Sequence, residues 1–314
     1  MAYGLATWSN TVGGSRLDLD DAMKEDLIDI ITDVSPDENP LSTMLARTSA
    51  SQPLHQWLED YISRPSSVSA SIEGAAASYS DLTQPVRRTN WTNITAQTFR
   101  VSGTEIATEH AGMGSSYDYQ AAKALREWKN KQEYALVNGT LASGSSGVAR
   151  QMAGIKNVIT SHYTNRLSGT SLSETEFNVM VKESWDDVGS SDVFDLVLVP
   201  FQLKQKISTY TAGSTKNVDA SDKRLTRPVM VYESDGGVHR IMAHKDVPSA
   251  VATPGPYFLG IKEDKYKIAY LRNPKREELS KDGDRKNGQV VGEYTLEFKA
   301  ERTSVSRSGY AQTG

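Results

Sequence analysis

The chain contains no cysteine. Disulfide frameworks, thiolate metal sites and cysteine nucleophiles are therefore excluded, and folding needs no oxidising compartment. Long apolar runs are missing as well. The strongest, Val193–Phe201, has the length of a strand and falls far short of the roughly 20 residues that cross a bilayer. Residues Met1–Gly14 are polar and glycine-rich, without the charged and then apolar layout of a signal peptide. The expectation is folding in a cytoplasm, with no membrane partner. Asn90, Asn93 and Asn138 open glycosylation-type tripeptides, which carry no weight without a secretory signal.

A basic excess is missing too. Lys and Arg number 35 against 39 acids, a net charge of -4, whereas nucleic-acid binders are usually basic with clustered Lys and Arg. A mildly acidic chain can still enclose DNA without holding it, because binding by counterion release needs many phosphate contacts. The apolar fraction is 38% and mean hydropathy is -0.49. Both suit a protein with extended parts that partners cover, and a soluble enzyme with long loops equally well. The 314 residues suffice for one large domain or two ordinary ones with a real core.

Catalytic motifs are the last absence. None of the five histidines, His55, His110, His162, His239 and His244, forms the i, i+4 pair of a zinc protease helix. His239 and His244 fall on opposite sides of a strand pattern and read as surface or edge-strand side chains. Gly144–Gly147 is Gly-Ser-Ser-Gly without a following lysine, a linker rather than a phosphate cradle. No Gly-x-Ser-x-Gly elbow occurs. Acid pairs such as Asp20-Asp21, Glu59-Asp60, Asp186-Asp187 and Glu277-Glu278 are plentiful, but spacing does not put two carboxylates in one cleft. No catalytic, cofactor or metal residues are assigned.

What the chain does have is a distinctive order of elements. Leu17, Met23, Leu27, Ile28, Ile31 and Val34 recur among acids, predicting an amphipathic helix. Pro36 and Pro40 end it, and Leu41–Leu45 starts a second apolar stretch. Leu54–Thr104 reads as a long two-armed hairpin. Strand-like Leu54–Ile62 passes into the Ser/Ala/Gly-rich Ser66–Ser80, and Trp91–Val101 returns with strand formers. With roughly 20 residues per arm it would reach some 60 Å. Its middle has too few large apolar side chains for a core, and isolated hairpins are marginal in water. Either something else covers it or it is a disordered linker.

Ser115–Gly139 is the clearest helix. Ser115 or Ser116 caps it, Asp118 suits the dipole, and Asn138-Gly139 supplies a left-handed stop. Tyr117, Ala121, Ala124, Leu125, Trp128, Ala135 and Leu136 share a face. After the linker Leu141–Gly147 comes an α/β pattern: a capping box at Ser173 and Glu176, a buried-type strand Val193–Val199, a helix from Pro200 to Tyr210, and a polar loop Thr211–Arg227. A hairpin turns at Ser234–Gly237. Tyr257–Ile261 and Tyr266–Arg272 are strands, Asn273–Gly288 is a charged turn, and Tyr294, Leu296, Phe298 and Ala300 alternate with polar residues as a half-buried strand.

Short signals run through this order: Asp29-Ile30-Ile31 with Ser35-Pro36 and Pro40-Leu41; Trp57-Leu58-Glu59-Asp60; Glu73-Gly74; Val101-Ser102-Gly103-Thr104; and Gly292-Glu293-Tyr294-Thr295-Leu296-Glu297. Together the chain resembles the major capsid proteins of tailed bacteriophages, the Hong Kong 97-like fold, from about Asp26 to Ala300. Asn39 stands where Thr is expected before the second proline. The resemblance implies an α+β fold: arm 1–53, extended hairpin loop 54–104, spine helix 105–147, axial domain 148–255, and peripheral strands with the tail, 256–314. It implies a structural role, self-assembly into hexamers and pentamers of an icosahedral head around double-stranded DNA. A separate scaffold protein, a portal and a decoration protein are the implied partners, with assembly in the host bacterial cytoplasm. The candidate assembly residues are Glu73 and Gly74 at the tip, Arg87 and Arg88 on the return arm, and Trp57 and Trp91. An arginine pair at an exposed tip could grip a neighbour's carboxylates in bidentate fashion, or simply be solvated. A bacterial nanocompartment shell shares the fold and stays open at this point, as does a soluble α/β hydrolase.

A short tag inserted in Thr211–Arg227 is expected to leave assembly intact, because a polar loop projecting from the shell carries no core side chain; electron microscopy of the tagged protein checks this.

Overall fold

A computed structural model of the chain describes residues 39–62, 65–77, 79, 84–108, 114–189, 192–210, 231–249 and 255–311. The expected helix Leu17–Val34, the loop Thr211–Arg227 and His110 lie outside these residues. Two sheets and one long helix make up the frame. The first sheet has four strands in the order β1 (Ala46–Ser49), β10 (Tyr266–Leu279), β11 (Arg285–Phe298) and β4 (Asn93–Ser102). The second has six, in the order β5 (Tyr163–Thr170), β12 (Val305–Tyr310), β9 (Phe258–Ile261), β6 (Leu196–Val199), β8 (Gly237–Ala243) and β7 (Val231–Ser234). A separate two-stranded ribbon joins β2 (Leu54–Glu59) to β3 (Val86–Trp91).

Across the four-stranded sheet lies α3, Ser116–Asn138, about 34 Å long at the usual helical rise. Ser115 caps it by accepting a hydrogen bond from the Asp118 amide at 3.3 Å. The predicted face is inward at Tyr117, Ala121, Ala124, Trp128 and Leu136, while Leu125 is exposed. Trp128 is the main anchor. Its indole N–H donates to the Thr95 carbonyl at 2.8 Å, and its ring meets Tyr294 edge-on at 5.7 Å. Gly292 leaves the room: a β-carbon there would lie 2.6 Å from the indole.

The stop at Gly139 has a different cause from the one expected. Its φ is -49°, not left-handed. A side chain is excluded because the chain packs backbone against backbone, with the Gly154 amide donating to the Gly139 carbonyl at 2.9 Å. A β-carbon at Gly139 would fall 2.5 Å from the Met152 carbonyl.

The six-stranded sheet is covered on both faces. In β6, Leu196 and Leu198 belong to the core shared with Trp128 and Leu136, while Val197 and Val199 face a second core around Phe177, Phe194 and Phe258. That is why this strand reads as continuous apolar sequence rather than alternation. Helix α5, Glu174–Val188, caps on Ser173 and ends at Gly189 with φ 81°. It lays Phe177 and Met180 on the second core. Helix α6, Phe201–Ile207, follows Pro200. The short helices α1 (Pro40–Met44), α2 (Gly103–Ala107) and α4 (Ile155–Val158) complete the α-helices of the described residues.

Four sequence expectations change. First, β9, expected among the closing peripheral strands, and β12, which lies in the expected tail, pair with each other and with β6 and β5 in the six-stranded sheet. Second, Asn273–Gly288 is no turn: β10 and β11 pair from Tyr266↔Phe298 to Leu279↔Asn287, and their charges are matched along the ladder, as in Lys286 with Glu278 at 3.0 Å. Third, the end of β11 is buried on both faces, with Glu293, Thr295 and Glu297 all below one-tenth exposed. Fourth, His239 and His244 are interior. The His239 Nδ1–H donates to the Phe194 carbonyl at 2.7 Å, so its Nε2 accepts from the Ser234 hydroxyl at 2.7 Å. Burial holds the His239 pKa below the ordinary histidine value.

His244 belongs to a knot around Glu133, which is fully buried. The Asp246 amide donates to His244 Nδ1 at 3.1 Å, so Nε2 carries the proton and donates to Glu133 at 2.9 Å. The same carboxylate accepts the amides of Leu41 at 2.7 Å and Ser42 at 2.9 Å, the first turn of α1. One side chain thus ties α3, α1 and the end of β8 together.

Trp128→Ala is expected to destabilise the subunit by about 3–5 kcal/mol through the cavity it leaves, and Trp128→Phe by less; denaturant melts of the two variants check the order.

Candidate assembly surface

The ribbon β2–β3 is the foot of a loop. Its ladder has six pairs, from Leu54↔Trp91 to Glu59↔Val86, and no strand is present among the described residues between them. The expected 20-residue arms are therefore wrong. The Ser/Ala/Gly composition supplies no cross-strand side-chain pairs to extend the ladder. The return segment also divides at Thr92: β4 leaves the ribbon and pairs with β11.

Buried polar groups fasten this foot to the body. Asn90, fully buried, donates its side-chain amide to the Leu296 carbonyl at 2.8 Å and accepts the Ala153 amide at 2.9 Å. Thr92 donates to Glu293 at 2.7 Å, and Arg150 and Arg272 flank the same carboxylate. His55 meets Glu297 at 2.9 Å. Glu59 accepts from Arg88 Nε at 3.0 Å, from the Tyr61 hydroxyl at 2.9 Å and from the Ala300 amide at 3.0 Å. Glu301 accepts from the Ser161 amide at 2.6 Å and the Thr160 hydroxyl at 2.7 Å, with Arg88 at 3.6 Å. Burial alone would raise the Glu293, Glu297 and Glu301 carboxyls. The hydrogen bonds from Thr92 and Arg150, from His55 and Lys299, and from Thr160 and Ser161 outweigh it and hold all three below the ordinary glutamate value.

Beyond the foot the described residues of the loop face solvent. Ile62 is 98% exposed, Val68 96%, Ile72 84% and Tyr79 95%. Glu73-Gly74 forms a turn, with Gly74 at φ 77° and the Ala75 amide donating to the Ile72 carbonyl at 3.0 Å. Among the candidate residues, Glu73 and Gly74 are thus exposed in a turn of the loop. Arg87 and Arg88 are not at a tip. They sit on β3, Arg87 outward and Arg88 turned in to Glu59 and Glu301. The alternation of strand side chains separates them, so they cannot act as one guanidinium pair. Trp57 packs edge-on against Phe298 at 4.8 Å, and Trp91 is half-buried opposite Leu54. Neither tryptophan joins Glu73 and Gly74. Sequence reasoning missed the exposed apolar side chains of the loop, whose signal was their isolation within Ser/Ala/Gly sequence. It also missed the anchoring acids Glu59 and Glu301.

The model of the SU10 major capsid protein family matches residues 6–310. The chain belongs to the SU10 major capsid protein family. This capsid protein is similar to the major capsid protein of Escherichia phage Phieco32, 23% identical over 319 residues that cover 86% of this chain and 89% of the relative. In fold it matches the Cyanophage A-1(L) capsid at TM-score 0.68 and 12% identity, over 92% of this chain and 98% of the other. Gordonia phage Cozz gives 0.61 and 12%, over 98% and 99%. An encapsulin complex from Synechococcus elongatus gives 0.56 and 11%, over 97% and 98%. The encapsulin likeness is one of fold, and the family match decides for the phage capsid against both the nanocompartment shell and the hydrolase. The fold is Hong Kong 97-like. The capsid protein assembles into an icosahedral phage capsid, and its role is structural, not catalytic.

The stability lent by the lowered Glu293, Glu297 and Glu301 carboxyls is present above the unfolded glutamate pKa of about 4.3 and is lost as pH falls through the folded values. Amide protection of β2 and β3 is expected to hold from about pH 7 to about pH 5 and to fall below about pH 4; hydrogen exchange with mass spectrometry reads it.

Proposed function

We propose that the loop rooted in β2–β3 lies across a neighbouring copy and is a principal contact of the hexamers and pentamers of the head. The observation that carries this is the set of apolar side chains, Ile62, Val68, Ile72 and Tyr79, that stand clear of their own chain's cores. Burying each on a partner contributes roughly 1.5–3 kcal/mol, against the ordering cost of the loop. A rigid foot with an uncovered far part suits a heterologous contact, in which one surface meets a different surface of the next copy and closes by rotation. Glu73 and Gly74 belong to the contacting part, Arg87 to its outer edge, and Trp57, Trp91 and Arg88 to the support beneath.

In this reading residues 1–53 form the arm, 54–104 the loop and its return, 105–147 the spine, 148–255 the axial part and 256–314 the closing part, with β9 and β12 contributing to the axial sheet. The head encloses double-stranded DNA without sequence-specific binding, in keeping with a net charge of -4. A separate scaffold protein, a portal and a decoration protein are its partners, no membrane takes part, and assembly takes place in the host cytoplasm.

Deleting Val68–Asp81 tests the reading. The monomer's melting temperature is expected to stay unchanged, because the described residues removed add nothing to either core, while shells disappear from sedimentation profiles and micrographs. Shells at wild-type yield would remove the loop from the interface.

A further inference from the structure

The four-stranded sheet has different neighbours on its two faces. In β11, Glu293 and Glu297 turn to the foot of the loop, while Tyr294 between them turns to Trp128 of α3. The foot and α3 therefore lie on opposite faces of the sheet.

The outer side of α3 is basic. Lys123, Arg126 and Lys129 are exposed, and each step of three residues rises about 4.5 Å and swings the side chain by about 60°. The three thus cross the helix from one flank to the other. On the β4 flank Lys123 and Arg100 line a groove of about 520 Å³. On the β10 flank Arg126, Lys129 and Arg47 line a groove of about 720 Å³. No carboxylate lines this second groove, and its other polar groups, among them Asn39, Thr43, Gln132 and Asn273, are neutral.

The acids of α3 do not offset these charges. Asp118 is paired with Arg276 at 3.1 Å, Glu127 accepts from the Gln97 side chain, and Glu133 is buried. Arg47, Arg100, Lys123 and Lys129 form no ion pair among the described residues. A chain of net charge -4 thus gathers five cations along one side of one helix.

We propose that this ridge is where the subunit touches the phosphate backbone of enclosed double-stranded DNA. The inference rests on the reading that the head encloses DNA. A shell wall has two faces and one of them meets the contents; the foot of the loop takes the opposite face of the sheet and leaves the ridge to the duplex. Lys and Arg beside neutral amide and hydroxyl donors hold phosphate without reading base sequence. A duplex carries one charge per roughly 1.7 Å of axis, so the ridge, about 9 Å from residue 123 to residue 129, meets several phosphates at once.

The test measures binding of the full-length subunit to a random duplex from about 50 to about 200 mM salt, where each phosphate contact adds about 0.9 to the slope of log affinity against log salt. K123Q/R126Q/K129Q is expected to lower that slope by about 2–3 and to weaken binding roughly tenfold at the lowest salt. K182Q/K204Q/K206Q removes the same charge from α5 and α6 and is expected to keep the wild-type slope. An unchanged slope in the first variant, or equal losses in both, would overturn the proposal. Binding of polyglutamate in place of the duplex would also overturn it, assigning the ridge to an acidic protein segment. In filled heads Lys123 and Lys129 are expected to acetylate more slowly than in the same heads emptied of DNA, with Lys182 unchanged; equal rates would turn the ridge away from the contents. Heads without nucleic acid would sink the packaging reading instead, and duplex binding by the subunit would still decide for or against the ridge.

Discussion

A carboxylate removed from water must be met by donors, and this requirement organises the molecule. Five glutamates, Glu59, Glu133, Glu293, Glu297 and Glu301, are below one-tenth exposed. Each draws at least one donor from a segment far away in sequence. Glu133 on α3 takes amides from α1 and the imidazole of His244. Glu301 takes donors from Thr160 and Ser161. Removing one partner of such a set would leave a buried charge uncompensated, at a cost of about 3–5 kcal/mol.

Function follows from where these acids lie. Glu59, Glu293, Glu297 and Glu301 all surround the foot of the loop, which is the junction of the ribbon with β11 and the turn that follows it. The foot is fixed in direction, while the described residues of the loop beyond it belong to neither core. Both properties suit the contact proposed for the loop, which would leave the subunit at a defined angle with its apolar groups free for the next copy.

The two cores meet through the second sheet. Opposite faces of β6 contribute to different cores, so this one strand joins the core under Trp128 and α3 to the core around Phe177.

Much of the architecture is legible in the sequence alone. Local rules act within a few residues, so α3 with its Ser115 cap, α5 between Ser173 and Gly189, the Ser234–Gly237 turn and the kind of family all follow from residue order. What depends on distant partners does not. Glu293, Thr295 and Glu297 look solvent-facing by alternation, and only the arrival of the ribbon and Arg150 on that face buries them. Arg87 and Arg88 look like a pair, and only strand pairing sends Arg88 inward to Glu59. Asn273–Gly288 looks like a turn because charge suits solvent, and only the partner strands give those charges their matches. Gly139 looks like a left-handed cap, and only the approach of Gly154 supplies the true reason for it. Periodicity and capping belong to the chain itself. Burial of a charge belongs to the neighbour that comes to meet it, and that neighbour is chosen by the tertiary fold.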